Sequence, residues 1–280
     1  MDKEKIGMLE VFFSSLLFGL IPILVRFDDS LGPFNLSFFR VFVATIALFL
    51  FIIFSKRVLS SWKKETKKLV IFGALHGFII ICYFIAIKYL SIASAVLLLY
   101  SCSIWVVVFS YLILKERIKK ISWIALLIAF IGVVLVVSPK DFFLQESIIG
   151  SLAGLAGGII AGLVYTLSKT FKEHDKVSLT FWQNLIALPF LFPLIFIDIP
   201  HFTIKSFWIV ILLGTVCTAI PFILIFKGFQ KIPSQKGSVL ILLDLVFAVV
   251  FASILFKEIP SLIEIIGGVL ILIGSYLITK

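Results

Sequence analysis

Ten stretches of this 280-residue chain each run for about 20 residues with few charges, and nothing constrains its folding more. A helix of that length covers the hydrocarbon core of a bilayer, roughly 30 Å thick. Inside lipid the backbone must satisfy its own hydrogen bonds, which leaves helices or closed barrels. The windows fall at residues 6–26, 36–54, 69–87, 92–114, 121–138, 147–168, 178–197, 206–226, 235–256 and 260–279. They predict an all-α integral membrane protein of ten transmembrane helices, numbered here as spans 1 to 10. Hydrophobic residues make up 61% of the chain and charged ones only 14%, far from the balance of a soluble domain. The connections are short and hold no soluble catalytic domain, so function is expected within the membrane.

The net charge of +10 raises the question of a nucleic-acid partner, and its placement answers it. With the N-terminus in the cytoplasm, nineteen Lys and Arg fall on the inner side, five on the outer side, and one, Arg40, within a span. That asymmetry is the positive-inside pattern and predicts both termini in the cytoplasm of a multi-pass protein of the cell membrane. No basic surface domain is left to hold nucleic acid. The first span starts like a signal peptide but has no small-x-small cleavage site after its apolar run, so it reads as retained. Cys82, Cys102 and Cys217 sit singly in spans, with no CxxC and no HExxH, so no metal or cofactor is expected. The chain has no P-loop, which excludes ATP as the driver.

The sequence also repeats itself. Lys115-Glu116 closes one apolar segment and Lys257-Glu258 closes another 142 positions later; Ala95 then falls on Gly237, Ile121 on Ile263 and Gly132 on Gly274. At offset 143, Gly19 falls on Gly162 and Arg26 on Lys169. Each unit holds five spans, so the second enters the membrane from the opposite side. The expected architecture is two inverted five-helix repeats, residues 1–140 and 147–280, around a central cavity, the habit of secondary transporters.

These features together resemble the drug/metabolite transporter superfamily, EamA branch. The resemblance rests on the ten short spans, the paired Lys-Glu after spans 4 and 9, and Gly19 in span 1. It rests also on Arg40 within Phe38-Phe39-Arg40-Val41, and on the run Ala86-Ile87-Lys88-Tyr89-Leu90-Ser91 between spans 3 and 4. It covers the whole chain. Members of this group typically move small metabolites, often outward, amino acids among them, and that is what the resemblance implies. The family commonly has a proline midway along spans 4 and 9; here Ser103 and Leu245 stand in those places, so no proline breaks either helix, while the acid of the second site survives as Asp244.

Ionisable and polar residues deep in spans face the bundle or a water-filled cavity. Asp244, midway along span 9, suits a substrate amine or a proton. His76 and Tyr83 share one face of span 3, because seven residues bring a helix back to nearly the same side. Histidine titrates near neutrality, which suits proton coupling. Arg40 offers a planar fork for an anionic group or, alternatively, snorkels to the interface. Gln183 aligns with Arg40, and Asn184 follows it in span 7. Tyr100, Trp105 and Tyr165 lie too deep for an interfacial belt and suit an aromatic cavity wall, whereas Trp62, Trp123, Trp182 and Trp208 read as interfacial. Gly150, Gly154, Gly158 and Gly162 form one face of span 6, a seam for close helix packing. Glu116 and Glu258, each between two helices, read as structural turn residues favoured by a helix dipole.

The expectation is therefore a secondary transporter, and no enzyme. It would export small metabolites, amino acids or related amphiphilic compounds, by alternating access, with proton coupling through Asp244 and His76. Its partners would be the small molecule, the proton and the bilayer; its oligomeric state is open. A nucleotide-sugar or phosphorylated-metabolite exchanger is the alternative, weakened because Arg40 is the one clear basic residue within a span. A membrane-embedded enzyme would need a polar cluster, and the deep ionisable groups are scattered over spans 2, 3 and 9. A channel or non-transporting scaffold is disfavoured weakly, since duplication also occurs in channels.

Overall fold

The computed structural model describes residues 2–56, 65–90, 92–137, 148–197, 200–257 and 259–279. Among them there is no strand. Ten helices are long and apolar enough to cross a membrane. Spans 1 to 5 are Lys3–Phe27, Pro33–Phe54, Thr66–Tyr89, Ser94–Leu114 and Lys120–Val137. Spans 6 to 10 are Ile148–Ser168, Lys176–Phe196, Ile204–Lys231, Ser234–Phe256 and Leu262–Thr279.

The bundle is apolar on the outside. Phe54 (81% exposed), Ile254 (69%) and Ile204 (83%) face outward, while Ser14, Thr166, Gln183 and Asn184 are fully enclosed. This distribution suits a lipid solvent, which covers apolar side chains without cost and leaves polar groups to find partners inside. Trp123 and Trp208 lie on the outer surface as expected. Trp182 departs from expectation: it packs among the cores of the bundle, with its indole Nε1 enclosed and without a hydrogen-bond partner among the described residues. Span 7 carries Gln183 and Asn184 beside it, and a helix that buries both amides carries this neighbour inward too.

Span 5 lies against span 10, span 3 against spans 6 and 7, span 1 against 8 and 9, span 2 against 7 and 8, and span 4 against 6. Shifting every span number by five returns the same set of pairs. Close contacts recur in the same way. A Cβ on Gly132 would lie 2.5 Å from the Gly267 carbonyl oxygen, and one on Gly274 would lie 2.7 Å from that of Ala125. Gly73 lies over the Gln183 carbonyl, and Gly214 over the Arg40 carbonyl. Each second contact repeats the first with the halves exchanged, at offsets of 141 to 143.

Spans 1, 4, 8 and 9 are interrupted. Span 1 turns at Gly19-Leu20, just before Pro22. Span 8 has a π-helical turn at Thr215–Ala219 ahead of Pro221. Spans 4 and 9 break despite lacking the expected prolines, at Ser101 and at Ile241-Leu242. Hydroxyl groups account for both breaks. Ser101 Oγ donates to the Leu98 carbonyl at 2.6 Å, and Ser15 Oγ of span 1 donates to the Leu240 carbonyl at 3.1 Å. Leu98 and Leu240 are 142 positions apart, so a serine hydroxyl bonds the equivalent carbonyl in each half, the Leu98 carbonyl also accepting the Ser101 N–H at 3.2 Å.

Candidate functional site

The break in span 9 decides where Asp244 sits. Its backbone N–H turns to the Ile241 carbonyl, and the side chain enters the first turn of the half-helix Leu243–Phe256. A carboxylate is favoured there by the helix dipole. Tyr100 ends the facing half-helix of span 4, Ile92–Tyr100, and donates its hydroxyl to Asp244 Oδ2 at 2.7 Å. The other oxygen, Oδ1, is enclosed and has no hydrogen-bond partner among the described residues. The two breaks thus meet through one phenol and one carboxylate, leaving an acceptor available.

Around this pair stand Tyr165 and Cys102, both within electrostatic reach of Asp244. Tyr165 stacks on Phe229, ring centres 5.7 Å apart, and Trp105 tilts over Phe109. The glycine face of span 6 packs here. Gly150 meets Leu90, Gly154 meets Leu98, Gly158 meets Ser101 Oγ and the Leu98 carbonyl, and Gly162 meets Trp105 Cβ and the Cys102 carbonyl. Gly19 meets Phe247 Cβ and the Asp244 carbonyl in the same way.

Arg40 centres a second group across spans 2, 3 and 8: His76, Tyr83 and Cys217 each lie within electrostatic reach of it. Tyr83 is also within reach of Tyr100, which joins the two groups. Arg40 points inward: its Nε is enclosed and has no hydrogen-bond partner among the described residues. His76 is buried edge-on to Phe222, and its Nε2 likewise has no hydrogen-bond partner among the described residues. Asn184 donates to the Thr180 carbonyl at 2.8 Å, while its Oδ1 and both amide atoms of Gln183 have no partner among the described residues. The π-helical turn that holds Cys217 borders Arg40; such turns are frequent at functional sites. Among the described residues no cluster of three metal-ligating side chains occurs.

The end of the bundle that carries Glu116 is closed. Glu116 accepts from Lys169 Nζ at 2.6 Å, from the Ser234 N–H at 2.9 Å and from Ser234 Oγ at 3.2 Å. Lys169 also donates to the Ile232 carbonyl at 2.8 Å. Glu116 therefore caps the start of span 9 rather than span 5, the nearer helix in sequence. Burial pushes the Lys169 ammonium below the ordinary lysine value of 10.5, with Glu116 pulling the other way. Lys231 pairs with Glu10 and Lys236 with Glu4 at this end, and rings of Phe72, Phe171, Phe222 and Phe226 fill the space between it and His76. Glu258, the counterpart of Glu116, lies outside the described residues. The two ends differ: the second half of span 4 packs along the first half of span 9, but the reciprocal half-spans meet at Tyr100–Asp244 without packing along their length.

Tyr100 and Asp244 were visible in the sequence as deep polar groups, as were Arg40 and His76. Trp182, Gln230 and Ser234 carried no such signal; Gln230 donates to the Ser168 carbonyl at 2.9 Å and tightens the closed end.

Ten apolar helices, with polar side chains gathered at paired helix breaks inside them, define a multi-pass membrane transporter. The chain belongs to the EamA-like transporter family, which it matches over residues 5–138 and again over residues 148–280. It is 28% identical over 272 residues to an uncharacterized transporter of Archaeoglobus fulgidus, covering 96% of this chain and 95% of that one. It is 23% identical over 282 residues to the pseudopaline exporter CntI of Pseudomonas aeruginosa, covering 100% of this chain and 98% of the exporter. A protein crystal structure superposes with a TM-score of 0.84 over 98% of this chain and 97% of that chain, at 19% identity, a likeness of fold.

Proposed function

We propose that this transporter exports a small amphiphilic metabolite, an amino acid or a close relative, across the cell membrane by alternating access. Its two halves, residues 1–140 and 147–280, are inverted repeats around a central cavity, with both termini in the cytoplasm. The pairing of spans, unchanged when span numbers shift by five, and the doubled glycine contacts support that arrangement. The relative named as an exporter supports the direction.

One observation carries the substrate reading. Asp244 is held by Tyr100 at the facing breaks, and its second oxygen has no partner among the described residues. A buried carboxylate in that position suits an amine or a proton, and the aromatic rings of Tyr100, Tyr165 and Trp105 suit the apolar remainder of an amphiphile. Arg40, His76 and Asn184 line the same cavity, with His76 as a second proton carrier. The Glu116–Lys169–Ser234 contacts and the phenylalanine column close the cytoplasmic path in this conformation, and the glycine face of span 6 lets helices rock without interlocked side chains.

Counterflow in proteoliposomes tests this reading, with unlabelled amino acids loaded inside and labelled ones followed inward. Accelerated exchange is expected, and its loss in a folded Asp244→Asn variant. Exchange of nucleotide sugars alone, run as a parallel panel, would transfer the site to the anionic class. Normal coupled transport by Asp244→Asn would remove Asp244 from the mechanism.

A further inference from the structure

Each end of the bundle fastens one loop to the head of a neighbouring span, and the two fastenings differ in chemistry. At the Glu116 end, His174 Nε2 donates to Glu65 Oε2 at 2.6 Å and joins residues 169–175 to the head of span 3. At the opposite end, Ser30 Oγ donates to Ser206 Oγ at 3.0 Å and joins residues 28–32 to the head of span 8. These are one contact, made once in each half. The offset of 141 that carries Gly73 onto Gly214 carries Glu65 onto Ser206. Ser30 and His174 stand three and two residues ahead of spans 2 and 7, which correspond to each other. A carboxylate and an imidazole hold one end; two hydroxyls hold the other.

We propose that the Glu65–His174 contact is a pH-sensitive latch on the phenylalanine column, one-sided because its twin at the other end is a pair of serines. The loop it fastens carries Phe171, which is fully buried and begins the chain of rings Phe171, Phe72, Phe226 and Phe222 that runs to His76. Lys68 of span 3 seats the same loop, with Nζ 4.3 Å over the Phe171 ring and 3.3 Å from the Thr170 carbonyl. Histidine is the side chain that gains or loses charge between about pH 5 and 8. Doubly protonated, it gives Glu65 a charge-assisted bond; neutral, it gives an ordinary one. Acid on this side therefore favours the docked loop and a seated Phe171. The charges around the imidazole leave that sense intact. Lys68 takes the other carboxylate oxygen, Glu65 Oε1, at 3.4 Å and so does not displace the ring. From the loop itself, Lys172 and Lys176 offset Glu173 and Asp175, and Asp175 is engaged with Ser178. Beyond them Lys169 pairs with Glu116. At the serine end, His201 is exposed and takes no part in the contact, and the flanking Lys205–Asp29 pair is 54% and 85% exposed, where water screens it. The proposed topology puts the latch in the cytoplasm, and on that reading cytoplasmic acid holds the inward path shut.

The test measures the latch directly and does not depend on that orientation. Nitroxide labels are placed on Lys67→Cys and Lys172→Cys in the full chain, with Cys82, Cys102 and Cys217 changed to Ser and the protein held in lipid nanodiscs. Double electron–electron resonance then gives the distance distribution at about pH 5.5 and about pH 8. The ratio of docked to parted loop should be roughly threefold higher in acid, the range of a partly exposed charge pair. Glu65→Ser with His174→Ser, which installs the serine pair of the other end, should leave the loop docked and its distances indifferent to pH. Glu65→Gln, which keeps a hydrogen bond without the charge, should also flatten the response. Asp244→Asn should leave the response in place, which separates the latch from any proton carried at the central site. The proposal fails if the distances of the unaltered pair ignore pH, if the response survives Glu65→Gln and the serine pair, or if Asp244→Asn abolishes it.

Discussion

Replacing Glu116 by Gln should loosen the closed end by a calculable amount. The carboxylate accepts three hydrogen bonds, two from Ser234 and one from Lys169. The pair is only 12% and 22% exposed, so solvent screens it little. A hydrogen bond to a charged group contributes about 1.5–3 kcal/mol, and removing one partner of a fully buried pair costs about 3–5 kcal/mol. Gln keeps the length and one acceptor, and Lys169 keeps the Ile232 carbonyl, so the loss should be about 2 kcal/mol. At about 1.4 kcal/mol per factor of ten, the equilibrium between closed and parted states of this end should move roughly 30-fold. Cys102 reports it, being 6% exposed and next to the break in span 4. In a chain with Cys82 and Cys217 changed to Ser, an impermeant maleimide applied from the Glu116 side should label Cys102 faster in Glu116→Gln by a comparable factor. Lys169→Met added to Glu116→Gln should recover thermal stability, because no cation is left buried, while labelling stays fast. An unchanged labelling rate in both variants would mean that these contacts decorate the surface and do not hold the end shut.

Raising pH should also loosen that end before ordinary lysines titrate, because burial has lowered the value of Lys169 below 10.5. The unfolded chain then holds that proton more tightly, so the same ionisation adds to folding stability as pH rises through the window just below 10.5; labelling rate and Tm measured across it should both increase. Gly132→Ala should cost about 1–3 kcal/mol in thermal unfolding, since its Cβ would meet the Gly267 carbonyl at 2.5 Å. Gly268→Ala, on the next turn face with nothing within 4 Å, should be neutral or gain up to about 1 kcal/mol. If His76 carries a proton, His76→Gln should flatten the pH dependence of counterflow; an unchanged profile would assign it to packing against Phe222 alone.

The spans were legible because about 20 apolar residues in a row have one use in a lipid solvent. Their interruptions were not. A proline announces a break in the sequence, whereas a serine does not: the Ser101 hydroxyl bonds a carbonyl of its own helix and the Ser15 hydroxyl reaches one in another. Ser15 in fact shares its hydroxyl between the Val11 and Leu240 carbonyls. Depth in the membrane picked out Asp244 and Tyr100 separately, but their pairing needs both half-helices to end at the same level, which depends on those breaks. Glu116 is legible as a turn residue between helices, but its contact with the start of span 9 is not, because Ser234 lies 118 positions away in sequence. Trp182 was assigned by residue type to the interface, and type alone does not say which face of span 7 turns inward.

A proline removes a donor from its helix permanently; a serine withholds a carbonyl only while it stays docked. The break in span 9 depends on a hydroxyl that belongs to span 1, so it is a property of the contact and not of the helix that bends. If span 1 withdraws, the Leu240 carbonyl becomes available again to the Asp244 N–H, and span 9 can heal into one continuous rod. Straightening and separation are then a single event, and the carboxylate at the centre swings with it.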